Sequence, residues 1–183
     1  MFSGLTESYK RWRHTRGYGV HSPFAYSLVC NVLKPKVPYA YYGYEDIDNA
    51  EERGESRRNR REARILLRLA ARLGVRSAFI PQHSVNTFRV ALLAADSRMH
   101  ISTAMSEIPD CTLIGSNSDY VPLDVLKQTL TRPGSILALR KLPPGWIDEL
   151  FATLDEGLML FGRDNAIIIS RPGMQKVAYS IRL

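Results

Sequence analysis

The chain has 183 residues, of which 45% are hydrophobic and 23% charged, and a formal net charge of +7. Such a chain can bury a core, so it reads as one compact domain or a domain with an added arm, not as a disordered tail. No apolar run approaches the ~18 residues of a membrane-spanning helix; the opening MFSGLTESYKRWRHTRG lacks the apolar stretch of a secretory signal; and the two cysteines, Cys30 and Cys111, stand apart, against a disulfide scaffold or zinc ribbon and in favour of a reducing cytoplasm.

The charge is unevenly placed. Residues 1–76 carry 15 Lys and Arg against 8 Asp and Glu, a net of +7, and residues 77–183 carry 10 of each. A basic arm on a neutral core suits nucleic acid, an acidic membrane surface or an acidic protein. Composition separates an N-terminal helical extension, residues 1–74, from a core over residues 75–183. Residues 1–44 are aromatic and basic and are broken by Gly17, Gly19, Pro23, Pro35 and Pro38. Residues 45–74 look helical and charged, with ERGESRRNRRE, residues 52–62, read as a mobile loop. Ile65, Leu66, Leu69, Ala70 and Leu73 recur at helical spacing, and Gly74 sits where a C-terminal cap is wanted. Arg57, Arg61, Arg64, Arg68 and Arg72 form a stripe beside that apolar face.

In the core, residues 75–81 read as a buried strand and 84–95 as a helix capped by Ser84. Strands follow at 100–103 and 111–115, a helix at 121–130, a strand at 135–140 and a helix from Pro143. The last strands are expected at 158–163, 166–170 and 177–183. Alternation of strands and helices predicts a mostly parallel sheet with helices on both faces. Arg171-Pro172-Gly173-Met174 joins two strands with no helix between them, which predicts a C-terminal antiparallel hairpin.

This layout resembles the class I S-adenosylmethionine-dependent methyltransferases, whose sheet is parallel except for a reversed last strand. Gly19-Val20-His21-Ser22-Pro23-Phe24, then Tyr41-Tyr42-Gly43-Tyr44-Glu45-Asp46-Ile47, are similar to the N-terminal segments of one bacterial branch with a GxHSPF motif. Residues 166–176 are similar to its final hairpin. The resemblance implies a three-layer Rossmann-like α/β fold with an N-terminal helical arm.

The cofactor positions depart from that pattern. The first strand leads into Phe79-Ile80-Pro81-Gln82-His83-Ser84, without the glycines that let a backbone approach a nucleotide and without an acid. The second ends Ile101-Ser102-Thr103, where the family places a carboxylate on the ribose hydroxyls; Glu107 is the first acid after it. Only residues 104–110 separate the second strand from the next, too few for a crossover of a dozen or so residues, so the family's third strand is expected to be missing. The later loops give Asn117-Ser118-Asp119 and Arg140-Lys141 where acids are usual.

The candidate residues follow. Gln82, His83, Ser84 and Asn117 occupy vestigial cofactor positions, where Gln82, His83 and Ser84 could hold a small anion or simply fill a vacated pocket. His21 is a base or substrate contact, with His14 and Arg16 near enough to share an anion, or it fixes the turn before Pro23, the reading favoured here. The five-arginine stripe, with Trp12, Tyr18, Tyr39, Tyr41, Tyr42 and Tyr44, suits phosphates and bases, although a charged helix face usually only meets water. No GxSxG, HExxH or CxxC motif is present, and no catalytic residue or metal site is assigned. The expectation is a cytoplasmic protein that has lost cofactor binding and catalysis and acts by binding, as a homodimer or beside an active enzyme. An S-adenosylmethionine-dependent enzyme with an atypical pocket, and an RNA- or acidic-surface-binding module, are the alternatives.

Overall fold

The structure, a computed structural model, describes residues 9–14, 16–17, 19–35, 44–49, 56–82, 86–117, 119 and 121–182. The expectations for Tyr18, Tyr39, Tyr41, Tyr42, His83, Ser84 and Ser118 lie outside them. The fold is α/β and Rossmann-like: seven strands, mostly in parallel pairings, with an antiparallel hairpin and flanking helices. Compactness divides the chain differently from composition. One unit joins Met1–Lys36 to Asn117–Leu183, and the other is Val37–Ser116.

In the Val37–Ser116 unit, α3 (Tyr44–Asp48) and α4 (Arg57–Leu73) pack on each other and on α5 (Asn86–Ala95). Ser56 opens α4 by accepting the Asn59 N–H, and Gly74 closes it at φ 64° by donating to the Ala70 carbonyl. Residues 57–62, read above as loop, are the first turns of this helix. From Ile65 to Ala70 every residue of α4 is buried, so this stretch of the helix is enclosed all round. Strand β1 (Ser77–Phe79) lies between β2 (His100–Ser102) and β3 (Leu113–Asn117), parallel to both. A 3-10 helix, Met105–Asp110, carries the chain directly from β2 to β3. This segment contains no strand, and, against the expectation that it is too short for a crossover, it takes the chain past β1 to the parallel β3.

The other unit begins with α1 (residues 9–14) and α2 (Pro23–Leu28), which runs on into a π-helical turn, Val29–Leu33. It continues with α6 (Leu123–Leu130), β4 (Ile136–Arg140), α7 (Trp146–Thr153), β5 (Gly157–Phe161), β6 (Asn165–Ser170) and β7 (Val177–Ser180). The strand order is β4-β6-β5-β7. β6 runs antiparallel to both β4 and β5, and β7 runs parallel to β5. The hairpin therefore turns at Gly162-Arg163-Asp164, one connection earlier than expected. The Arg171–Met174 turn instead leads past β6 to the far side of β5, because both edges of β6 are already paired.

In this parallel register Ser180 directs its backbone groups away from β5, onto the open edge of β7. There the Ser180 carbonyl accepts the His14 Nδ1–H at 3.1 Å, and the His14 ring meets Tyr179 edge-on at 5.6 Å. The aromatic arm thus blunts an edge that would otherwise template pairing with another strand.

Candidate functional site

In a Rossmann-like sheet, ligands sit beyond the carboxyl ends of the strands. At that end of β1, Phe79 is 2% and Ile80 4% exposed. Pro81 is buried as well, and Gln82 is the first residue to reach solvent. The Ile80 N–H donates to the Ser102 carbonyl at 3.0 Å, extending the β1–β2 ladder through the point where a glycine turn would open it. At the end of β2, the buried Ser102 hydroxyl accepts the Ala104 N–H at 3.1 Å and donates to the Ala104 carbonyl at 3.3 Å. The one proton of that hydroxyl is thus spent on the backbone. Glu107 is exposed on the 3-10 helix, whose Ile108 is 1% exposed and whose turn packs against β1. Asn117 ends β3, and Asp119 after it is exposed. Of the vestigial cofactor residues, the structure thus describes Gln82 and the backbone of Asn117.

The GxHSPF segment builds a helix start. The Ser22 hydroxyl accepts the Ala25 N–H at 3.3 Å, and Pro23 takes the first helical position, where its missing N–H costs nothing. His21 is exposed just before the cap. Arg16 lies 4.3 Å from the Trp12 ring centroid, and His14 is engaged with Ser180. Ser22→Ala should therefore cost about 1 kcal/mol of stability, and His21→Ala should leave the urea midpoint nearly unchanged. A larger loss at His21 than at Ser22 would contradict the capping assignment.

The arginine stripe divides. Arg57, Arg61 and Arg72 are exposed. Arg64 pairs with Asp48 of α3 and lies 5.4 Å from the Tyr44 ring. Arg68, at 6% exposure, donates to the Tyr44 hydroxyl at 2.5 Å. The expectation that all five face solvent is corrected: α3 lies along the stripe, so Arg68 is an internal strut and Arg64 is tied to the helix beside it. Among the described residues, no three His, Cys, Asp or Glu side chains group as metal ligands.

A feature absent from the sequence reading is a ladder on α1. The Tyr9 and Trp12 rings stack at 5.9 Å and 17°. Arg13 stands 6.0 Å from Tyr9, and Arg16 4.3 Å from Trp12. Helical spacings of three and four carried this signal.

Fold and geometry define an α/β protein of the Rossmann-like class in which Phe79, Ile80 and Pro81 at the carboxyl end of β1 are buried. Comparisons with protein-family models, with curated proteins and with solved structures found no match. No helix among the described residues is long and apolar enough to cross a membrane.

Proposed function

We propose that the chain is a methyltransferase-like protein that no longer binds S-adenosylmethionine or transfers a methyl group, and that it serves as a binding or structural partner. A homodimer, or a complex with an active enzyme, is the form such a role takes. The observation that carries the reading is the closure at β1 and β2: buried Ile80 and Pro81 fill the turn, and Ser102 spends its hydroxyl on its own backbone. The direct 3-10 link from β2 to β3 and the reversed β6 support the likeness to a shortened member of that family.

Thermal denaturation and calorimetric titration with S-adenosylmethionine and S-adenosylhomocysteine test it. A ligand at about a hundred times its dissociation constant adds roughly 2.7 kcal/mol of stability, or about 5–10 °C in Tm for a chain of this size. We expect no shift and no heat at millimolar ligand. A clear shift would overturn the proposal in favour of an enzyme with an atypical pocket.

A further inference from the structure

We infer that α1 and the turn after it form a binding surface for single-stranded nucleic acid, with Tyr9 and Trp12 as the stacking platform and Arg13 and Arg16 as phosphate contacts. This is a role beyond the protein partnership proposed above. It does not depend on loss of the cofactor.

Three observations carry it. The first is accessibility: Tyr9 is 60% and Trp12 36% exposed, large values for rings that a protein ordinarily buries. The second is arrangement. The two rings are nearly parallel, and the exposed Arg13 and Arg16 hold their guanidiniums over the Tyr9 and Trp12 rings. Single-strand binders combine aromatic faces for the bases with a basic track for the backbone. The third is charge. Between Glu7 and Glu45 the chain has six Lys and Arg and no acidic residue, so the segment that presents these rings repels cations and attracts polyanions.

Two other surfaces fit less well. A helix lying in a membrane interface needs an apolar face, and residues 9–14, Tyr-Lys-Arg-Trp-Arg-His, contain no aliphatic side chain. The α4 stripe is richer in arginine, but Arg64 and Arg68 are held by Asp48 and Tyr44.

The test is fluorescence anisotropy of the full-length protein with labelled oligouridine and oligothymidine of about 20 nucleotides, longer than one expected site, across a salt series. Binding is expected at low salt, weakening linearly in log affinity against log salt. Trp12→Ala should weaken it about tenfold, and Trp12→Phe should keep most of it. Arg13→Ala with Arg16→Ala should flatten the salt slope by about 1.4, near 0.7 for each phosphate contact on a single strand. Arg57→Ala with Arg61→Ala should change neither quantity. Because Trp12 is exposed, circular dichroism should be the same for all variants.

The inference is overturned by no binding up to about 100 micromolar protein, the weak end of non-specific affinity. It is equally overturned if the α4 pair rather than the α1 pair removes binding, if Trp12→Ala binds as well as the parent, or if phosphatidylserine-containing vesicles are bound and the oligonucleotides are not. Cofactor titration reads the earlier proposal and oligonucleotide titration this one, so each can fail alone.

Discussion

Replacing Ile168 by alanine is expected to lower the unfolding free energy by about 4 kcal/mol, within the range for truncating a fully buried branched side chain. Ile168 sits on β6, in register with Leu137 on β4 and Met159 on β5. Residues directly opposite one another on paired strands project from the same face. The three side chains therefore form a row across the sheet, and none is more than 1% exposed. Ile168 is the middle member. Its neighbours are anchored by ladders on both sides, so they cannot close over a void, and the cavity contribution stays near its upper range. Ala178, opposite Met159 on β7, is exposed and serves as the contrast: a change there to serine should be nearly silent. Urea unfolding with an unchanged m-value measures both. A loss below about 1.5 kcal/mol at Ile168, the scale of a mere shape change, would mean that this row is not packed as described.

Gly157→Ala should be at least as damaging, about 4 kcal/mol or more, the range reserved for a specific structural fault. Gly157 opens β5 at φ 137°, a conformation that side-chain-bearing residues seldom adopt. A Cβ there would lie 2.0 Å from the Ile169 carbonyl oxygen and 3.0 Å from the Arg171 nitrogen. Both are backbone atoms, so no rotamer change relieves the overlap. The strand cannot shift aside easily either. The Gly157 N–H donates to the Met174 carbonyl at 3.2 Å, and the Arg171 N–H donates to the Glu156 carbonyl at 3.0 Å. Gly74, at the end of α4, separates the two costs, since a Cβ there meets nothing within 4 Å. Gly74→Ala should cost only the left-handed backbone penalty, about 1–2 kcal/mol. Equal losses at the two sites would argue against the close approach at Ile169.

The parts of the fold that were legible in the sequence were those written in local pattern. The α4 helix announced itself by apolar spacing and by Gly74. The short distance from β2 to β3 was legible but misleading: residues 104–110 look too few for a crossover, yet as a 3-10 helix they carry the chain past β1 to the parallel β3. The burial of Phe79 and Ile80 was also legible, since the apolar run that ends at Pro81 reads as a buried strand. What stayed hidden was decided across the chain. Arg171-Pro172-Gly173 looks the same whether the next strand folds back or passes over, and only the occupied edges of β6 choose. Arg68 is indistinguishable from Arg72 in the stripe, yet Tyr44, 24 residues earlier, makes one internal and leaves the other exposed. His14 bonds a carbonyl 166 residues distant, a partner that no local pattern could name.

That last separation has a consequence during synthesis. The unit from Val37 to Ser116 is one unbroken piece, and its β1 has both partners as soon as β3 emerges. The other unit is made in two instalments, with α1 produced before the β7 strand that His14 meets. At the usual 5–20 residues per second, the 166 residues between His14 and Ser180 take roughly 8–33 s to translate. For that interval α1 has no β7 edge to cap. The ribosome therefore carries a basic, aromatic segment of the nascent chain well before its seat exists, and the β7 edge is covered within the same chain only when segments 166 residues apart meet.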